Sequence, residues 1–122
     1  MDLVLYPIHL GTHWCLAAID NRQQSLTYYD SLGGQGKSCL AKLRDYLLSE
    51  YRDKKKAELS LNGWRDVPVN NIPLQKNGSD CGVFTCMYAR CLSSNSPFAF
   101  SQEDMPQIRR HIICELLEQR LF

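Results

Sequence analysis

The 122-residue chain is 44% hydrophobic and 22% charged, with a formal net charge of +1. That is enough apolar content for one modest core, and so even a charge balance argues against a nucleic-acid partner or an acidic solvating tail. No apolar run reaches transmembrane length, and Met1-Asp2-Leu3 begins no secretory pattern, so a soluble intracellular protein away from membranes is expected. The six cysteines, Cys15, Cys39, Cys81, Cys86, Cys91 and Cys114, contain no Cys-x-x-Cys pair. The five-residue steps from Cys81 to Cys86 to Cys91 turn successive sulfurs away from one another around a helix. Neither a disulfide framework nor a metal site is expected, and no cofactor; most of the six read as small core residues.

Residues 3–10 open with an extended apolar run in which Pro7 removes one ladder donor, so this strand lies at a sheet edge, is bulged, or ends nearby. After the Gly11-Thr12 break, residues 13–20 read as a largely buried strand. Asn21 to Gln24 make a polar turn, and residues 25–30 form a third strand rich in β-formers. So short a connection suggests an antiparallel hairpin. His13 at the start of one strand and Asp30 at the end of the next would then be neighbours.

The Gly-rich stretch from Ser31 to Gly36 resembles a phosphate loop only superficially, because Ser31 stands where the motif needs its first glycine. It reads as a turn, with Ser38 as a cap for a helix whose apolar face is Leu40, Leu43, Leu47, Leu48 and Tyr51. Lys54 to Lys56 suit the end of that helix. Residues 57–74 carry little periodicity; one short strand over 66–69 and a packing role for Trp64 are expected. A second helix runs from Ser79 or Cys81 to about Leu92 and is apolar nearly all round, as a buried central helix is. The last helix takes Asp104 as cap, with Gln107 at the capping-box position and an apolar face of Met105, Ile108, Ile112, Leu116 and Leu117.

Chemistry concentrates in Gln75-Lys76-Asn77-Gly78-Ser79-Asp80-Cys81-Gly82. Asn77-Gly78 is a turn dipeptide, and Ser79 and Asp80 are both N-cap residue types. Cys81 falls in the first helical turn, where unpaired amides and the helix dipole favour a nucleophilic thiolate. Gly82 leaves room for a substrate backbone to pass, and Gln75 offers an amide to an oxyanion. With His13 as base and Asp30 as its orienter, every role in thiol catalysis is filled. The plainer alternatives stand beside this: His13 as a polar residue at a strand mouth, Asp30 as a turn cap, Cys81 as a core thiol, Gln75 as a solvated loop residue. His9 and His111 have weaker claims to be the base.

Pro7-Ile8-His9, His13-Trp14, Tyr29-Asp30-Ser31, Ile72-Pro73 and the Gln75 to Gly82 stretch together resemble the C-terminal half of SUMO-specific (sentrin-specific, Ulp-type) cysteine proteases. Phe100-Ser101-Gln102, Met105-Pro106 and Arg109-Arg110 resemble that family's last helix. The resemblance covers nearly the whole chain. It implies an α+β, papain-like fold: a small antiparallel or mixed sheet with about three helices, residues 1–122 forming a single but incomplete catalytic domain. It also implies cleavage after the Gly-Gly end of SUMO by His13, Asp30 and Cys81, with Gln75 in the oxyanion hole. Trp14 would cover a narrow tunnel that admits glycine and rejects side chains. SUMO and SUMO-conjugated proteins are the implied partners of a monomer, with the nucleus, and also the cytoplasm, as compartment. Because the half that precedes these motifs in the family lies outside the chain, part of the SUMO-binding surface is expected to be absent and some apolar surface exposed. The alternatives are a truncated, weakly active or inactive module, or a protease for another ubiquitin-like modifier.

Overall fold

Strict alternation along the strands decides the layering. The computed structural model describes residues 2–58 and 60–121. It contains strands β1 (Leu3–His9), β2 (Trp14–Asp20), β3 (Ser25–Tyr29) and β4 (Arg65–Val67), with helices α1 (Lys37–Lys55), α2 (Cys81–Ser93) and α3 (Met105–Glu118). They form one four-stranded sheet in the order β1-β2-β3-β4. The first three strands are antiparallel, and β4 runs parallel to β3. This is the small mixed sheet with three helices that the family resemblance implies, and Pro7 sits on an edge strand, one of the three placements open to it.

Side chains at successive strand positions face opposite layers. Cys15, Ala17, Ile19, Leu26 and Tyr28 point one way, onto Leu40 and Leu43 of α1. Leu16 points the other way, with Phe84, Tyr88 and Cys91 of α2 and with Phe100 and Met105. Residues 15–19 of β2 are therefore all buried, the pattern of a strand covered on both faces. The second layer is mainly aromatic: Tyr29, Phe84, Tyr88, Phe98 and Phe100 have ring centroids 5.3–6.2 Å apart. Emptying one such position, as in Phe84→Ala, typically costs about 3–5 kcal/mol. That is a large share of the ~5–15 kcal/mol by which domains are stable.

Four expectations need correction. Helix α1 starts at Lys37, so Ser38 lies inside it and Gly36 is the N-cap, with φ 64°. A Cβ there would run into the Tyr28 ring, a tertiary constraint that a cap-residue preference does not contain. The capping box lies in a 3-10 turn, Gln102–Asp104, preceding α3. Ser101 and Asp104 bond reciprocally across it, and Gln107 is not its acceptor. The apolar stripe of α3 is covered only at its start: Met105 is 1% exposed, whereas Leu116 and Leu117 are 73% and 79% exposed. Its buried position in that half is Glu115, which accepts two hydrogen bonds from Arg90 of α2. Finally, only Cys15 and Cys91 are buried among the six free cysteines, while Cys86 and Cys114 face solvent.

Gly36→Ala should destabilise the fold by about 1–3 kcal/mol, the cost of a side chain held at positive φ, with the Tyr28 collision adding to it. Urea unfolding of the two proteins would show it, and equal midpoints would remove Gly36 as a structural requirement.

Candidate active site

His13 and Asp30 each lie one residue outside their strands, beyond the ladder but held by it. The β2–β3 register pairs Leu16 with Tyr29, which carries the chain ends of both strands to the same edge. There His13 Nε2 is 2.6 Å from Asp30 Oδ1, with side chains 13% and 9% exposed. A carboxylate only accepts hydrogen bonds, so the proton lies on Nε2. In the neutral ring Nδ1 then keeps its lone pair for another proton. Asp30 Oδ1 also accepts the Leu32 N–H at 2.8 Å, and Gly33 N–H donates to the Asp30 carbonyl at 2.9 Å. Asp30 therefore caps a turn and orients the histidine at once; the two readings of it are compatible.

The buried Cys15 thiol lies near Asp30. Burial, with the nearby Asp30 charge, pushes this thiol up to about 11 against the opposing influence of the Tyr28 hydroxyl. The ligand atoms of His13, Cys15 and Asp30 lie within 4.8 Å of one another. Two of the three are bonded to each other, His13 Nε2 to Asp30 Oδ1. A Cβ on Gly34 would collide with Asp30 Oδ2, so the glycine-rich turn also lets the backbone close over the carboxylate.

Cys81 is the first residue of α2 and is half-buried. Asp80 is the N-cap by backbone position, and its carbonyl accepts the first helical bond from Phe84 N–H at 3.0 Å. Its side chain makes no capping bond. The helix start is thus left without a side-chain cap, an electropositive end beside the sulfur.

Trp14 links this helix start to His13. Its indole, 42% exposed, stacks on His9, its cross-strand partner, with centroids 4.5 Å apart. A Cβ built on Gly82 would lie 3.9 Å from Trp14 Cδ1, so the indole stands over the first turn of α2. That is ordinary contact, and the fold itself does not demand glycine there.

Gln75 is buried rather than solvated, at 9% exposure. Its backbone N–H donates to the Ser31 carbonyl at 2.9 Å, and its side-chain Nε2 donates to the Asn77 carbonyl at 2.5 Å. The Ser31 hydroxyl donates to its Oε1. Tyr88 of α2 donates its hydroxyl to the Pro73 carbonyl just upstream. His13, Trp14, Asp30, Gln75, Cys81 and Gly82 thus lie on three segments that these contacts bind together.

Sequence reasoning named Asp80 as an N-cap, which it is by backbone position, but missed what its side chain does. Its carboxylate, 6% exposed, turns away from the helix it caps. Oδ1 accepts Arg109 Nε at 2.8 Å and Nη2 at 2.6 Å; Oδ2 accepts Asn77 Nδ2 and Gln102 Nε2, each at 2.8 Å. Arg109 Nη2 also reaches the Ser79 carbonyl at 3.0 Å. The loop before Cys81 is consequently fastened to α3 and its 3-10 turn. The type of Asp80 signals a cap; only the fold reveals a partner 29 residues later.

These bonds, from Asn77 first, then Gln102 and Arg109, hold the Asp80 carboxyl below its usual range. A lowered folded-state value stabilises the protein above the unfolded carboxyl's pKa of about 4, and the gain is lost as pH falls through the folded value. Arg109→Ala should therefore cost about 1–3 kcal/mol at neutral pH, with the difference from wild type shrinking on acidification. Urea unfolding at pH 7 and near pH 3 measures this; a difference that does not depend on pH would contradict it.

The chain matches, over residues 1–121, the model of the Ulp1 protease family, C-terminal catalytic domain. It is 47% identical over 120 residues to human Sentrin-specific protease 5, covering 98% of this chain and 16% of that protein. Identity to the Sentrin-specific protease of Caenorhabditis elegans is 41% over 120 residues, covering 98% of this chain and 17% of the relative. Among solved structures, the C-terminal Ulp1 protease domain in complex with Smt3, the yeast ortholog of SUMO, superposes with a TM-score of 0.79 at 27% identity, covering 97% of this chain and 53% of that one. The Ulp1-like SUMO protease catalytic domain of Chaetomium thermophilum gives 0.75 at 31%, covering 90% and 44%. The chain therefore spans about a sixth of the curated relatives' length and about half of the solved domains. With the His13–Asp30 pair, the Cys81 helix start and the α+β layering in place, the chain belongs to the Ulp1 protease family of cysteine peptidases.

Proposed function

We propose that this chain carries the reacting groups of a thiol protease that cleaves after the C-terminal Gly-Gly of SUMO, in precursors or at isopeptide bonds to lysine. The observation that carries the reading is the 2.6 Å His13–Asp30 bond at the sheet edge that Trp14 joins to the Cys81 helix start. Membership of the Ulp1 family and a structural neighbour in complex with Smt3 favour SUMO as the partner.

The steps follow from what each atom can donate or accept. His13 Nδ1, free of Asp30, takes the Cys81 Sγ proton, and the sulfur attacks the carbonyl carbon of the terminal glycine. The negative oxygen that develops is met by a Gln75 Nε2–H and the amides at the start of α2. His13 returns its proton to the departing amine, and a thioester joins Cys81 to the substrate. Water then attacks the thioester, giving its proton to His13. As the C–S bond breaks, that proton passes to sulfur and the glycine carboxylate leaves. Asp30 stabilises the imidazolium in both half-reactions. Trp14, beside the first turn of α2, is the residue that the family resemblance places over the diglycine tail, where a flat indole admits glycine and rejects side chains; Gly82 leaves room for the substrate backbone to pass.

A monomer acting in the nucleus, with the cytoplasm as second compartment, completes the proposal. That part rests on family resemblance alone.

A SUMO probe with a thiol-reactive C-terminus should label the full-length protein and leave Cys81→Ala unlabelled; equal labelling of both would remove Cys81 from the mechanism. Asp30→Asn should lower kcat by up to about 10⁴-fold, the effect of losing the correct tautomer. Against a panel of ubiquitin-like modifiers, turnover should be confined to SUMO.

A further inference from the structure

Ser31 is 1% exposed and belongs to none of the roles above. It follows Asp30 directly, and its carbonyl and hydroxyl are both spent on one residue, Gln75. Its carbonyl accepts the Gln75 backbone N–H at 2.9 Å, and its hydroxyl donates to Gln75 Oε1. This two-point clip spans 44 positions of sequence.

An amide side chain is nearly symmetric in shape, so its working orientation has to be set by its neighbours. On one side of Gln75 stands the Asn77 carbonyl, which can only accept and so selects Nε2. On the other stands the Ser31 hydroxyl, which supplies a donor and so holds Oε1. With Oε1 and one Nε2 proton engaged, the second Nε2 proton is left over for another acceptor. Without the Ser31 hydroxyl, Oε1 would be buried beside an apolar methyl. The amide, held only through Nε2 on the Asn77 carbonyl, would then be free to pivot about that one bond, and the oxyanion donor would lose its fixed direction.

We propose that Ser31 is the positioning residue for Gln75, so that the dipeptide Asp30-Ser31 orients both the base and the oxyanion donor: Asp30 holds His13, and Ser31 holds the amide. This rests on the proposed protease reading for its kinetic consequences, and on the hydrogen bonds alone for its structural one.

The test is a kinetic cycle on the full-length protein with a SUMO–peptide fusion, joined to two readouts that involve no oxyanion. Loss of an oxyanion-hole donor costs about 10²–10³-fold in kcat, and Ser31→Ala, which loosens the donor without removing it, should cost about 10- to 100-fold with KM little changed. Gln75→Ala should cost more, and the double variant no more than Gln75→Ala alone. Alkylation of Cys81 by iodoacetamide, which develops no oxyanion, should proceed in Ser31→Ala at the wild-type rate. The side-chain NH₂ resonances of Gln75 should be ordered in the wild type and averaged in Ser31→Ala. Independent, multiplicative losses in the cycle, or slowed alkylation, would overturn the proposal. So would a Gln75 amide signal indifferent to the substitution. If Ser31→Ala does not fold, Ser31→Cys, a near-isostere with a weaker donor, takes its place in the same measurements. A wild type that cleaves no SUMO fusion, yet whose Gln75 amide loosens on substitution, would contradict the protease reading and leave the positioning role supported.

Discussion

The proposed chemistry depends first on one hydrogen bond, from His13 Nε2 to Asp30, and that bond depends on strand register. A slip of one residue between β2 and β3 would turn each side chain to the opposite face. It would exchange the set facing α1 for the set facing the aromatic layer. Because β2 is buried on both faces, such a slip would misplace about five core side chains at once. Packing far from these strand ends thus fixes the His13 imidazole and the Asp30 carboxylate to within hydrogen-bond tolerance.

The second half of the site is held by different means. The segment from Pro73 to Asp80 is irregular and would be mobile if tied only at its ends. Instead it is fastened from three directions: Ser31 at the end of β3 grips Gln75, Tyr88 of α2 grips the Pro73 carbonyl, and Arg109 with Gln102 grips Asp80. Each of these anchors is a polar bond between a buried or half-buried group and the loop. Unlike apolar contacts, they specify direction as well as distance, as a preorganised oxyanion site requires.

Much of this was legible in the sequence because the governing patterns are local. Alternation marked the hairpin, Pro7 marked the edge strand, and the turn dipeptide before Cys81 marked the helix start. The histidine, aspartate, glutamine and cysteine could be named from their spacing and their resemblance to a family. What could not be read was set by distant partners. Asp80 has the chemistry of a cap, and its use as an anchor depends on Arg109 across the fold. Gly36 is required by the ring of Tyr28, and Ser31 gains its importance from Gln75, 44 residues away. Apolar periodicity assigned Leu116 and Leu117 to a core, yet both are exposed. Periodicity reports which face of a helix is apolar; it cannot say what covers that face.

The central claim is that Asp30 fixes the tautomer of His13, leaving Nδ1 to act on the sulfur. Nitrogen-resolved NMR of the His13 ring tests this directly. At a pH where the ring is neutral, the proton should be found on Nε2, strongly deshielded by the bond to Asp30, and it should lose that deshielding in Asp30→Ala. A wild-type ring carrying its proton on Nδ1, or an Nε2 proton unaffected by removing Asp30, would contradict the account.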